Sequence, residues 1–239
     1  MTTTTASRIE RRPFASLGHA DHGWLNARHH FSFADYYDDE RMHWGAIRVW
    51  NDDEIGPRSG FPPHPHSDME IITYVRSGAI THQDSMGNKG RTEAGDVQVM
   101  SAGRGVQHSE WNAEDDETTL FQIWIEPAEA GGAPGWGARK FPKADRSGTW
   151  ATLASGDKAD NALPIRQDAK VLGATVKAGE TLEYSVTAGR HGYLVLATGS
   201  VDINRTDRLN ARDGVAITGP EKITITGVSD AEIVLVDTI

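Results

Sequence analysis

Cysteine is absent from this chain of 239 residues. The protein therefore has no disulfide, no thiolate ligand for a metal ion and no cysteine nucleophile. Any transition-metal site is expected to use nitrogen and oxygen ligands from histidine, aspartate and glutamate.

Long apolar runs are also missing. None approaches the roughly 20 residues that a membrane-spanning helix needs. The first residues, MTTTTASRIERRPF, lack the apolar segment of a secretory signal. We therefore expect a cytoplasmic protein without a membrane partner.

Basic residues are fewer than acidic ones. The chain has 24 Lys and Arg against 34 Asp and Glu, which gives a net charge of −10. Such a protein repels a phosphate backbone on average, and the sequence contains no basic stripe that would offset this. We therefore expect no direct binding to nucleic acid.

Stretches with the 3.6-residue period of helices are absent as well. The apolar segments are instead β-branched or alternating and are bounded by turn residues, as in MEIITYV (69–75), TLFQIWI (119–125), GYLVLAT (192–198) and AEIVLVD (231–237). This pattern is typical of strands. Many short strands predict an all-β sandwich or barrel with few short helices.

A weak internal repeat indicates two β-units. Residues 78–127 and 199–239 each begin with glycine, continue as strand, turn and strand, and place a Gly/Asp pair before a Val-led strand. Between the two copies, residues 133–164 are rich in Gly, Pro, Ala and charge, which is typical of a connection.

From this repeat we predict a domain organisation in three parts. Residues 1–132 form an N-terminal domain, residues 133–164 connect, and residues 165–239 form a C-terminal domain.

The stretch GFPPHPHSDME places two histidines two residues apart. If it is one extended strand, the side chains of His64, His66, Asp68 and Glu70 share one face. Pro65 cannot donate a ladder hydrogen bond, so the strand is predicted to begin here or to lie at a sheet edge.

A second pair, His108 and Glu110, has the same spacing. Three imidazoles and one carboxylate suit Fe(II) and also accept Mn, Co, Ni, Cu or Zn. Four protein ligands on a six-coordinate ion would leave two positions for water, substrate or dioxygen. His82 and His191 each stand alone, and no role is predicted for them.

These motifs resemble those of the cupin superfamily. The first cupin motif is matched in order by Gly60, His64, His66, Glu70 and Gly78. The second is matched by Gly95, Gly103, His108 and Asn112, with Ser101 where proline is usual.

The departures from the cupin pattern resemble those of pirins, and further segments are similar to bacterial pirin-like proteins. These segments are residues 18–38, 48–55, 64–75, 82–90, 94–110 and 121–127. The resemblance is dense over residues 18–127 and mainly architectural over residues 165–239. It implies a bicupin, two stacked jelly-roll β-barrels, with one non-haem iron in the N-terminal barrel and no metal in the degenerate C-terminal one.

The resemblance also implies the ligand set. A general cupin would use Glu70 as the fourth ligand, whereas pirins use the carboxylate two residues after the last histidine, which is Glu110 here. The implied ligands are His64, His66, His108 and Glu110. Glu70 is then expected near the metal, where it would orient a histidine or line the pocket.

Three functions are compatible with such a site. Pirin-like proteins of this type resemble quercetin 2,3-dioxygenases, which implies O2 and a flavonol-like aromatic substrate, with Glu110, or less favourably Glu70, as general base. Other pirins resemble redox-sensitive iron-binding modules that bind a transcription factor or a metabolic enzyme, which implies a protein partner. A sugar or small-molecule isomerase would need the metal but no oxygen.

Overall fold

The computed structural model describes residues 8–239, and this part of the chain is built almost entirely from strands. In chain order the strands are β1 (Arg8–Arg12), β2 (Gly18–Asp21), β3 (Leu25–His29), β4 (Ile47–Ile55), β5 (Ser59–His66), β6 (Glu70–Ser77), β7 (Ala79–Asp84), β8 (Lys89–Glu93), β9 (Val97–Ser101), β10 (Val106–Asn112), β11 (Thr118–Ile125), β12 (Gly135–Arg139), β13 (Ala151–Ser155), β14 (Leu163–Pro164), β15 (Ala169–Val176), β16 (Thr181–Val186), β17 (His191–Thr198), β18 (Ser200–Ile203), β19 (Asp207–Asn210), β20 (Gly214–Thr218), β21 (Glu221–Gly227) and β22 (Ala231–Thr238). The helices described are short 3₁₀ turns at Phe14–Ser16, Asp39–Arg41, Lys143–Arg146 and Lys158–Asp160. The prediction of an all-β chain with few short helices is confirmed.

The described residues form two compact units. The first, which we call the histidine unit, contains Leu17–Pro142 and Ala154–Asp168. The second, which we call the apolar unit, contains residues 8–16 together with Lys143–Leu153 and Ala169–Ile239. Nine of the ten histidines belong to the histidine unit.

The histidine unit pairs a large sheet with a small one. The large sheet has the strand order β12-β9-β6-β11-β4-β3-β2, and the small sheet has the order β5-β10-β7-β8. Leu25, Ile55, Val75 and Leu120 of the large sheet pack with Ile80 of the small sheet in one buried cluster. The small sheet carries the two histidine motifs.

The apolar unit repeats this arrangement. Five of its strands lie side by side in the order β1-β20-β17-β22-β15, and a four-stranded sheet has the order β16-β21-β18-β19. Aliphatic side chains from both sheets form one buried cluster, among them Leu172, Leu182, Val201, Ile223 and Leu235. This continuous apolar surface is the main source of stability in the unit.

The first strand departs from the predicted domain boundaries. β1 pairs antiparallel with β20, with Arg8 opposite Thr218 and Arg12 opposite Gly214. The start of the described chain therefore packs within the unit formed by the C-terminal half, and the segment Ala154–Asp168 packs within the histidine unit. The predicted division into residues 1–132, 133–164 and 165–239 stays a prediction.

The single strand predicted for GFPPHPHSDME is wrong. β5 ends at His66 and β6 begins at Glu70. Between them Asp68 takes a left-handed conformation, with φ of 47°, which interrupts the alternation of side chains along an extended strand. His64, His66, Asp68 and Glu70 therefore do not share one face. The predicted edge position is confirmed, because β5 is the outer strand of the small sheet.

None of the helices within residues 8–239 is long and apolar enough to cross a bilayer.

Candidate metal centre

Strand pairing brings the two histidine motifs together. β5 pairs antiparallel with β10, which places His64 directly opposite His108 and His66 opposite Val106. A side chain at Gly60 would overlap the backbone carbonyl of Glu110, so glycine lets the two strands approach here. The ring centroids of His64 and His108 are 4.5 Å apart, and those of His66 and His108 are 5.0 Å apart.

The three imidazoles form a group of metal-ligating type. One ring nitrogen from each of His64, His66 and His108 lies within 4.8 Å of the others. Burial, followed by the neighbouring histidines, lowers the pKa of His66 to about 4 and that of His108 to about 3. Both rings are therefore neutral near pH 7 and keep a lone pair for a metal ion.

The hydrogen bonds of the rings fit a metal ion. Nδ1 of His64 lies 2.8 Å from the carbonyl oxygen of Pro62, which can only accept. In the neutral ring Nδ1 therefore carries the proton, and Nε2 of His64 is the nitrogen that keeps a lone pair. Nε2 of His108 is buried and has no hydrogen-bond partner within the described part of the chain. A buried, unpaired nitrogen costs free energy that a metal ion would offset.

Glu110 is buried on the same strand, two residues beyond His108. Its Oε1 accepts hydrogen bonds from Nε2 of Gln98 at 2.8 Å and from Oγ1 of Thr73 at 3.1 Å. Its Oε2 accepts one from Nε2 of Gln122 at 2.7 Å. Because a carboxylate has about four acceptor positions, one position on Oε2 is left for a further partner. Glu110 does not belong to the group of ligand atoms that lie within 4.8 Å of one another among the described residues.

Asp53 is another buried acid of the same unit. Asp53 is 2% exposed, and its Oδ1 has no hydrogen-bond partner among residues 8–239. Burial, and then the charges of Asp52 and Glu110, raise the pKa of Asp53 well above its usual range. The neutral form of Asp53 is therefore favoured relative to that of an exposed aspartate.

An aromatic wall borders the histidines. The ring of Trp124 meets the ring of His66 edge-on at 4.9 Å and that of Phe33 at 5.5 Å. Nε1 of Trp124 donates to Oε1 of Gln122, the residue that also holds Glu110. The hydrogen bonds thus couple the position of this wall to that of the carboxylate.

Space for a ligand is present beside His66. A depression of about 540 Å³ is lined by this ring and by Ser67, Ser85 and Val106, among others. Its volume lies within the range of small-molecule sites.

Glu70 lies elsewhere. Side chains alternate along β6, and because Thr73 points to Glu110, Glu70 points to the opposite sheet face. Its Oε2 accepts a hydrogen bond from Oγ of Ser101 at 2.6 Å, and burial raises its pKa. Glu70 thus faces away from the histidines, and the expectation that it orients one of them is corrected.

Sequence reasoning missed His82 and Asp84. Nδ1 of His82 lies 3.4 Å from Nδ1 of His108, and Nε2 of His82 lies 3.0 Å from Oδ2 of Asp84. The signal was available, because His82 and Asp84 have the same two-residue spacing as the pairs that were singled out. Gln98, Gln122 and Thr73 carry no such signal, since their role depends on pairing between distant strands.

Family models match both halves of the chain. The model described as pirin matches residues 10–125. The model described as the quercetinase C-terminal cupin domain matches residues 152–238.

Curated proteins and solved structures agree with these matches. A pirin-like protein from Caulobacter vibrioides is 67% identical over 231 residues, which cover 96% of this chain and 99% of the relative. A quercetin 2,3-dioxygenase from Escherichia coli strain K12 is 42% identical over 221 residues, or 92% of this chain and 94% of the relative. The crystal structure of the bacterial pirin YhhW from Escherichia coli in complex with nickel(II) has a TM-score of 0.90 at 40% identity and covers 97% of this chain and 99% of that one.

Proposed function

Because the chain belongs to the pirin family and has its two cupin-type sheet domains, we propose that it is a metal-dependent dioxygenase that opens a flavonol ring with O2. The observation that carries this proposal is the convergence of three imidazoles, one of which, His66, lines an open depression. The name of the Escherichia coli relative supplies the reaction class.

The metal-holding residues we propose are His64, His66 and His108, with Glu110 as the fourth. An all-nitrogen and oxygen set suits Fe(II), and the nickel(II) complex of the relative is compatible with the same ligand chemistry. A divalent ion bound there would lower the pKa of a hydroxyl group next to it. The equivalent positions of the apolar unit hold four aliphatic side chains and one tyrosine instead, so we assign the metal to the histidine unit alone.

Glu110 has one free acceptor position, which could bind the metal ion or a substrate proton. The hydrogen bonds from Gln98, Thr73 and Gln122 fix the carboxylate and leave a single position on Oε2. That position can face the metal ion or take up the proton of a substrate hydroxyl, which is the general-base role. Only one of these partners fits at a time.

The aromatic wall formed by Trp124 and Phe33 would position the substrate. Trp124 and Phe33 offer flat apolar surfaces, and the depression beside His66 opens to solvent. A planar aromatic substrate would stack against such a wall. The buried interior around Glu110 keeps bulk water away from the reacting groups.

Elemental analysis followed by quercetin turnover tests this function. Protein loaded with Fe(II) should hold one ion per chain and should consume quercetin in air, with release of carbon monoxide. The same protein under argon should leave quercetin unchanged. One bound iron without quercetin loss in air would refute the activity, and turnover of a substrate without oxygen would favour an isomerase.

A further inference from the structure

His82 lies between a carboxylate and a histidine of the proposed metal centre. On one side its Nε2 is 3.0 Å from Oδ2 of Asp84, and on the other its Nδ1 is 3.4 Å from Nδ1 of His108. The side chains of His82 and Asp84 are 1% and 0% exposed. Water therefore does not compete for these hydrogen bonds, and the protein alone decides where the ring protons lie.

The chemistry of the three groups gives the chain of hydrogen bonds one direction. An ionised carboxylate can only accept a hydrogen bond. Nε2 of His82 therefore carries a proton and donates a hydrogen bond to Asp84. In a neutral His82 ring, Nδ1 then carries no proton. Its lone pair can only accept a hydrogen bond from Nδ1–H of His108. Nε2 of His108 is left unprotonated, and this is the buried nitrogen that has no partner within the described residues.

We propose that Asp84 and His82 form a relay that fixes the tautomer of His108, so that its Nε2 is available to a metal ion. The inference rests on the proposed metal centre and adds two positioning residues to it. Metal-bound histidines are generally oriented by an acceptor at their other ring nitrogen. His64 meets this requirement through the carbonyl of Pro62, and His108 meets it through the relay.

The relay is built rigidly at both ends. Oδ1 of Asp84 accepts hydrogen bonds from the backbone N–H groups of Met86 and Asn88, at 2.9 and 3.0 Å. The amide group of the Asn88 side chain donates to Oδ2 at 2.9 Å. The ring of His82 stacks on that of Trp136, with centroids 4.9 Å apart and planes 9° from parallel.

The wild-type protein gives the first test. In metal-free protein with 15N-labelled histidine, long-range 1H–15N NMR correlations report which ring nitrogen carries the proton. We expect protonated Nε2 in His82 and protonated Nδ1 in His108. The opposite tautomers, or a doubly protonated His82, would overturn the relay whatever any variant does.

Asp84→Asn is the second test, because it reverses the relay without changing its size. The asparagine side chain has one amide oxygen, and this oxygen is needed to accept the hydrogen bonds from the backbone N–H groups of Met86 and Asn88. Its NH2 group therefore turns to Nε2 of His82. His82 then donates from Nδ1, and His108 is pushed to the tautomer with a proton on Nε2. We expect a loss of about 10–100-fold in Ni²⁺ affinity by calorimetry, together with the reversed tautomers in the NMR spectrum.

Asp96→Asn is the matched control. Asp96 belongs to the same unit, and its Oδ1 accepts from the backbone N–H of Phe141 at 3.0 Å, which asparagine can also do. This variant should keep the Ni²⁺ affinity and the tautomers of the wild type. Asp84→Asn with wild-type affinity and tautomers would overturn the proposal.

Failure of the relay and failure of the proposed function give different results. Neither readout uses turnover, so a protein that binds Ni²⁺ with the expected tautomers but leaves quercetin intact refutes only the dioxygenase. A wild type that takes up no Ni²⁺ refutes the metal centre and, with it, the role of the relay. If Asp84→Asn does not fold, by circular dichroism, the wild-type tautomers decide.

Discussion

The two units share one strand plan and fill it with opposite chemistry. The order β9-β6-β11-β4 of the histidine unit matches β20-β17-β22-β15 of the apolar unit, and β5-β10-β7-β8 matches β16-β21-β18-β19. Register then equates the site residues with particular positions of the other unit: His64 with Tyr184, His66 with Val186, His82 with Ile203, His108 with Ile223 and Glu110 with Ile225. Four aliphatic side chains and one tyrosine thus stand where the histidine unit has four imidazoles and a carboxylate.

This difference shows that burying polar side chains is unfavourable in free energy and that hydrogen bonds offset the effect. Burying aliphatic groups stabilises the apolar unit directly. Burying Glu110 or His108 is unfavourable unless each polar atom has a partner. Hydrogen bonds from Gln98, Gln122 and Thr73 supply those partners for Glu110. The apolar unit thus buries aliphatic side chains that stabilise it, and the histidine unit buries polar side chains that need hydrogen-bond partners.

The largest contrast is expected from replacing the proposed metal ligands on β5. The double variant His64→Ala/His66→Ala should lose bound metal completely and turnover with it, because two of three converging nitrogens are removed. Elemental analysis of purified protein measures this. Val186→Ala, at the position equivalent to His66, should retain the metal; stoichiometric metal in the double variant would refute the centre.

Equivalent positions on β10 and β21 should separate stability from binding. Ile223→Ala should lower the free energy of unfolding by about 2–5 kcal/mol, because it leaves a cavity in a fully buried core. Its metal content should not change. His108→Ala should show the reverse, with metal lost and a smaller change in urea unfolding; equal stability losses would contradict the contrast.

Glu110→Gln should affect both properties moderately. The amide keeps one oxygen but turns an NH2 group toward the donors that hold the carboxylate, which should lower stability by about 1–3 kcal/mol and weaken metal binding. Urea unfolding and Ni²⁺ titration measure the two effects. Ile225→Val, the change at the equivalent position, should cost about 0.5–1.5 kcal/mol and leave Ni²⁺ binding as it was.

The last contrast we expect is a pH dependence of stability that originates in the histidine unit. The pKa values of His66 and His108 are lowered from 6.5 to about 4 and about 3, so the unfolded chain binds more protons than the folded one below pH 6.5. The stability of metal-free protein should therefore fall as the pH drops from 6.5 toward 4. Urea unfolding at several pH values should show a shallower fall for His66→Ala; an equal slope would contradict the origin assigned here.

Local patterns in the sequence predicted much of this molecule. Alternation and β-branching identified strands such as β6 and β11, and the paired spacing of His64 with His66 and of His108 with Glu110 singled out side chains that the fold brings close together. These features depend on neighbours in sequence, so a reading of periods and spacings can find them.

Long-range pairing and single backbone angles escaped the same reasoning. The left-handed φ of Asp68 turned one predicted strand into two and sent Glu70 to the other face of the sheet. The partners of Glu110 come from three different strands, and the contact of His82 with His108 depends on the pairing of β7 with β10. No local pattern states which strands become neighbours.

The pairing of β1 with β20 has a consequence for how the chain is made. Arg8 leaves the ribosome 210 positions before Thr218, its partner in the sheet. At synthesis rates of about 5–20 residues per second, β1 waits roughly 10–40 s for β20 to be synthesised. During that interval its backbone N–H and C=O groups lack their partner strand and can pair with another chain. The apolar unit can close only near the end of translation, when the histidine unit has long had all its strands.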